Sequence, residues 1–288
     1  MTHFSVLIIG DNPEGQLAPY HQYECTGIND EYVKDVDCTS EFFKEFEFFI
    51  SVNGVITFKE YLSKYSDLKE VHNQHEIDIK GLHQWGYFTE TEDGNLKVIR
   101  RTNPNNKWDY YSAGPDTFFK AKNNKSSHSA KKSDILFNQM MRWPKYHAHK
   151  DYDHYQSIVN QVGKPKSLIE IKQSLNISDP FELQKKTREI YKNQDAIKIL
   201  KKSLRFRDEM SCLVKKFSLD RESYSEYEML KPFAFDATII NNQWYDRLSG
   251  GWNSNMLNLT EYEWLKHTWT LIQTLPNDTL ISVYACHS

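Results

Sequence analysis

The sequence predicts an α+β fold: a small mixed β/α core built from both chain ends, with a mainly helical, basic insertion between them. Three observations carry this. Short apolar or alternating runs bounded by Gly, Pro and Asn gather at the two ends, whereas the middle of the chain repeats at helical spacing. Charge divides the same way: Lys120 to Pro232 holds 24 Lys and Arg against 14 Asp and Glu, and the rest holds 12 against 25, within a net charge of −3. The composition, 39% hydrophobic and 14% aromatic over 288 residues, suffices for a buried core. The expected divisions are 1–121, an N-terminal α+β part of the core; 122–232, the helical basic arm; and 233–288, which completes the core.

Phe4–Ile9 reads as a buried strand ended by the turn Gly10-Asp-Asn-Pro13. An acidic loop follows to about Asp37. Thr39 or Ser40 caps a helix from Glu41 to about Ile50, with Phe42, Phe43, Phe46 and Phe49 as a packing face. Val52–Phe58 reads as a turn or short strand, and Tyr61–Lys69 as weakly helical. Trp85–Glu90 and Leu96–Arg101 flank Asp93-Gly94, a hairpin signal, and Trp108–Ser112 forms another strand. Lys122 to Ser133, rich in Lys, Ser, Asn and His, reads as a mobile linker.

Helices are then expected at Asp134–Trp143, stopped by Pro144; at Asp153–Val162, ended by Gly163; and at Ser167–Leu175. Ser178-Asp-Pro180 caps another, to about Asn193. Ile197, Leu200, Leu204, Met210, Leu213 and Val214 approximate a helical stripe over Asp195–Phe217. At the C-terminal end, Phe233–Ile240 and Gln243–Arg247 pair around Asn241-Asn242, Thr260 opens a helix to about Leu275, and Thr279–Cys286 is a closing strand.

No run approaches the ~20 apolar residues of a membrane span, and no basic segment precedes an apolar one at the start. Cys25, Cys38, Cys212 and Cys286 are scattered and contain no CxxC pair, which argues against a zinc knuckle or disulfide framework and fits a reducing cytosol. The turn at Gly10 lacks both phosphate-loop patterns, and no Ser or Cys has a His at a diagnostic spacing. We therefore expect a binding protein rather than an enzyme, with no catalytic residue and no cofactor.

A metal-dependent hydrolase would centre on His147, His149, Asp151, Asp153 and His154, residue types that suit zinc or manganese. Their spacing matches no metalloenzyme signature, and a solvated polar loop is the preferred reading, so no metal site is expected. His72 and His75 with Glu76 and Asp78 are a weaker version of the same idea. The basic arm suits phosphates, but no nucleic-acid-binding signature accompanies it; nucleic acid is a possible partner that the pattern does not favour. Tyr191, Lys192, Arg205 and Arg207 are the candidate partner-binding residues, because Tyr and Arg dominate interface hot spots.

Several stretches together resemble a known group. The opening Met1-Thr-His-Phe-Ser-Val-Leu-Ile-Ile-Gly-Asp-Asn-Pro-Glu14 and Gln16-Leu-Ala-Pro-Tyr20 resemble a widespread bacteriophage family. Lys107-Trp-Asp-Tyr-Tyr-Ser112, Ala113-Gly114, Phe118-Phe-Lys120, Leu275-Pro-Asn-Asp-Thr-Leu280 and Cys286-His287 match its other motifs. The match covers the two ends and hardly the helical middle. Within that family the chain is similar to the phage-encoded anti-defence proteins that inhibit Gabija, a bacterial nuclease–helicase system. The resemblance implies a homo-oligomer in the host bacterial cytoplasm, wrapped around the Gabija nuclease and helicase-like subunits and blocking DNA binding and cleavage.

Overall fold

The computed structural model describes residues 3–22, 30–73, 76, 85–114, 118–122, 126–203, 206, 212–247, 255–256 and 259–288. Its strands are β1 (His3–Ile9), β2 (Lys34–Asp37), β3 (Lys69–Glu70), β4 (Gly86–Glu90), β5 (Leu96–Thr102), β6 (Tyr110–Ala113), β7 (Phe119–Lys120), β8 (Ser126–Ser127), β9 (Ser129–Lys131), β10 (Ala237–Ile240), β11 (Gln243–Asp246), β12 (Asn255–Met256) and β13 (Leu280–His287). Its α-helices are α1 (Pro13–Leu17), α2 (Thr39–Asn53), α3 (Phe58–Tyr65), α4 (Phe137–Val162), α5 (Leu168–Ser174), α6 (Pro180–Asn193), α7 (Asp195–Lys202), α8 (Leu213–Lys216), α9 (Arg221–Leu230) and α10 (Glu261–Thr274).

Both chain ends meet in the largest sheet, as the α+β reading expects. β1 lies between β10, parallel to it, and β13, antiparallel, within the order β12-β11-β10-β1-β13-β6; β9 pairs with β13 off this path. Apolar residues fill every position of β1 from Val6 to Ile9 because both faces are covered. Val6 and Ile8 join Leu17, Trp108, Trp244 and Cys286 on one face, while Leu7 and Ile9 join Phe119, Phe233, Ile272 and Val283 on the other. β10 and β11 turn on Asn241 and Asn242, both left-handed at φ 52° and 59°, which is the conformation a two-residue hairpin needs.

A second sheet, ordered β2-β5-β4-β3, sits with α2 and α3 around its own cluster of Phe42, Phe46, Leu62, Leu68, Phe88 and Val98. The expected hairpin is its centre, β4 antiparallel to β5. Gly86 opens β4 at φ +137°, where a Cβ would fall 2.2 Å from the Ile99 carbonyl oxygen. α2 starts at Thr39 and runs to Asn53, so part of the stretch read as a turn or strand belongs to it.

The helical middle has a third cluster, drawn from residues 148–224 and including Tyr155, Ile197, Leu200, Phe217 and Tyr224. Here two expectations are corrected and one element is new. Pro144 does not stop a helix: α4 is continuous through it for 26 residues. The missing N–H costs about 3 kcal/mol or more. The turns on either side hold because Met141, Ala148, Tyr155 and Ile158 are all buried and α9 packs along α4. The stretch read as a mobile linker contains β8 and β9, and β9 is hydrogen-bonded to β13. α9 is an element that hydrophobic periodicity does not single out. Among the described residues no helix is long and apolar enough to cross a membrane.

Candidate functional site

Of the four residues selected from sequence, the two that are described, Tyr191 and Lys192, do not form a surface together. Tyr191 is only 6% exposed and belongs to the helical cluster. Its Oη accepts the Leu213 N–H at 2.8 Å, and burial pushes its phenol well above the ordinary range, with Cys212 adding to the shift. Lys192 is exposed on the last turn of α6. Arg205 and Arg207 lie outside the described residues.

The histidine- and aspartate-rich segment is helix rather than loop. His147, His149, Asp151, Asp153 and His154 all lie on α4, where successive residues point in different directions. Both Asp153 carboxylate oxygens accept from Arg221, from Nε at 2.8 Å and Nη2 at 2.9 Å. His149 faces Glu222 at 3.4 Å, and Asp151 is buried. Around His72, the Glu76 carboxylate accepts the His72 N–H at 3.0 Å; His75 and Asp78 lie outside the described residues. Among the described residues, no three His, Cys, Asp or Glu side chains are placed to hold a metal ion.

The motif residues quoted from the two ends do converge, and they converge on structure. The Asp109 carboxylate lies 2.7 and 3.0 Å from His287 Nδ1, and the Asp109 N–H donates to the His287 carbonyl at 2.9 Å. Tyr110 stacks on the His287 ring at 4.5 Å. Burial alone would raise the Asp109 carboxyl, but hydrogen bonds from His287 and the Tyr110 amide outweigh it and hold it below the ordinary range. At Gly114 a Cβ would lie 2.6 Å from the Val283 carbonyl oxygen, so the closing strand β13 requires glycine there. These contacts tie β6 to β13.

Exposed faces on α2 and α4 differ in kind. On α2, Glu41, Glu45, Phe48 and Val52 recur at helical spacing along one exposed stripe. Phe48 is 74% exposed, and Val55 just beyond the helix is 93% exposed. With Glu47, the helix carries three carboxylates and only one cation, Lys44. On α4, Trp143 is 69% and Tyr146 54% exposed, and Arg142, Lys145 and Lys150 surround them. The stacked Trp and Tyr are three residues apart, a spacing that the sequence displays but that reads as significant only once Pro144 is known to sit inside a helix.

An apolar cleft of about 760 Å³ opens between α4, α5 and the chain around α8, lined by Tyr152, Tyr155, Val159, Leu168, Cys212 and Phe217 among others. No protein family, curated protein or solved structure matches this chain.

Proposed function

We propose that this chain is a phage anti-defence protein that acts by binding. Its target is the bacterial Gabija nuclease–helicase complex, which it surrounds as more than one copy and keeps from binding and cutting DNA. The observation that carries the reading is the α2 stripe, in which exposed Phe48 and Val52 continue directly from Glu41 and Glu45. Apolar side chains exposed on a surface mark an interaction site. A surface that engages DNA is cationic, and the carboxylates flanking this apolar stripe complement it in charge. The family-like motifs of the two ends support the reading from the sequence side.

The test is co-purification with a tagged Gabija nuclease–helicase pair, followed by size-exclusion chromatography with mass determination. The wild-type chain is expected to co-elute in an assembly much larger than either component. Phe48→Asp combined with Val52→Asp, both at exposed positions that folding does not need, should weaken the assembly by at least about tenfold, as loss of a hot-spot residue does. Separate elution of the wild-type chain would refute the Gabija reading. Undiminished co-elution of the double variant would remove the α2 stripe from it.

A further inference from the structure

We infer that the exposed face of α4 around Trp143 and Tyr146 is a binding site for single-stranded nucleic acid. An unpaired base lies against the rings, and its flanking phosphates meet Arg142, Lys145 and Lys150. This goes beyond the reading above and depends on neither Gabija nor the α2 stripe.

The site is built rather than incidental. The Trp143 and Tyr146 rings lie 5.9 Å apart with their planes 27° from parallel. His147 meets both edge-on, at 4.5 and 5.1 Å, which fixes the pair from one side. Lys150 Nζ stands 4.3 Å from the Tyr146 ring centre and donates to its Oη at 2.8 Å, so the phenol ring is clamped between its neighbours along the helix. Two large planar side chains are thus ordered while still open to solvent.

Beside them a shallow cleft of about 540 Å³ runs between α4 and the end of α9, walled by Trp143, Pro144, Glu228, Lys231 and Pro232. That volume is in the range of small-ligand sites, about 300–1,000 Å³. Its two prolines offer compact apolar rings without an N–H, which suits the face of a base. The one carboxylate in the cleft, Glu228, is already compensated by Lys231 at 2.7 Å and Lys216 at 3.6 Å.

Charge completes the case. Among the described residues neither Arg142 nor Lys145 meets a carboxylate, although the sheet-forming ends carry a large excess of acid. Uncompensated cations within one or two turns of open aromatic rings are the combination by which single strands are held without sequence preference. A protein hot spot is built differently, with its aromatic anchor set inside an apolar surround that excludes water. The surround of Trp143 is charged, and its apolar neighbours in the cleft are prolines alone. The α2 stripe has the opposite character, with apolar side chains beside carboxylates.

The experiment measures fluorescence anisotropy of a labelled 20-residue oligo-dT titrated with the whole chain across a range of salt concentrations. Binding is expected, weakening with salt at a logarithmic slope of roughly −2, for about three phosphate contacts on a single strand. Trp143→Ala should lower affinity by about 5- to 150-fold, the loss of one stacked base. Arg142→Gln with Lys145→Gln should flatten the salt slope by about 1.4, two contacts fewer. All three positions are exposed, so the variants keep the fold. The inference is overturned if oligo-dT does not bind in about 50 mM salt, if Trp143→Ala binds it as well as wild type, or if poly-glutamate competes as effectively as unlabelled oligo-dT.

Discussion

Replacing Tyr191 with Phe separates a core role for this residue from a contact role. Its ring is packed in the helical cluster, and its Oη is the acceptor for the Leu213 N–H at 2.8 Å. Phenylalanine keeps the ring and removes only the hydroxyl, which accepts the Leu213 amide and also bonds with Cys212. A hydrogen bond of this kind contributes roughly 0.5–1.5 kcal/mol net, while a buried donor left without a partner costs about 1–3 kcal/mol. Leu213 is fully buried and opens the short helix α8, so water does not replace the lost acceptor without local opening. A destabilisation of about 2 kcal/mol is therefore expected. Urea melts should show a lower midpoint with an unchanged slope, since the same surface is exposed on unfolding. Hydrogen exchange at the Leu213 amide should accelerate in parallel. Lys192→Ala, at the neighbouring exposed position, should stay within about 0.5 kcal/mol of wild type. A Tyr191→Phe chain as stable as wild type, or one that loses a partner while melting normally, would refute a core role.

Two further outcomes follow from titratable groups. Asp109 is held below the ordinary carboxylate range, so its contribution to stability is present above its unfolded pKa and is lost as pH falls through the lower folded value. Wild type should consequently lose stability below about pH 4 more steeply than Asp109→Asn; identical acid limbs in pH-dependent urea melts would contradict the His287 pairing. Burial pushes the Cys286 thiol up to about 12. A thiol reagent at mildly alkaline pH should therefore modify partly buried Cys212 in the native protein but reach Cys286 only on unfolding, and rapid native labelling of Cys286 would count against its place in the cluster with Leu17 and Trp108.

Elements with a strong local signature were legible in the sequence. β1 announced itself by its apolar run, the β4–β5 hairpin by Asp93-Gly94, α10 by the Thr260 cap, and the β10–β11 turn by paired asparagines. What escaped depended on tertiary partners. Pro144 reads as a stop because sequence shows the lost N–H but not the packing of α9 that offsets it. α9 itself buries Tyr224 and Leu230 but also Glu228, a residue whose burial makes sense only beside Lys216 and Lys231. Its Asp220 cap, accepting the Glu222 and Ser223 amides, was the available signal. β9 is short and polar and exists because β13 offers it an edge. Choosing Tyr191 by residue type alone selected a core tyrosine, whereas Trp143 and Tyr146 needed the continuity of α4 before their spacing carried meaning.

The central position of β1 has a consequence for how the chain acquires its fold. Its two neighbours are supplied by residues 237–240 and 280–287, so during synthesis a strand that is apolar from Val6 to Ile9 is made more than two hundred residues before these partners exist. The helical cluster draws only on residues 148–224 and can condense by short-range contacts in the interval. Assembly order is thereby opposite to chain order: the middle consolidates early, and the first strand waits with both edges open. That waiting strand is the segment most exposed to mispairing or to capture by a chaperone, and mutations that slow completion of β13 should be felt as aggregation rather than as altered binding.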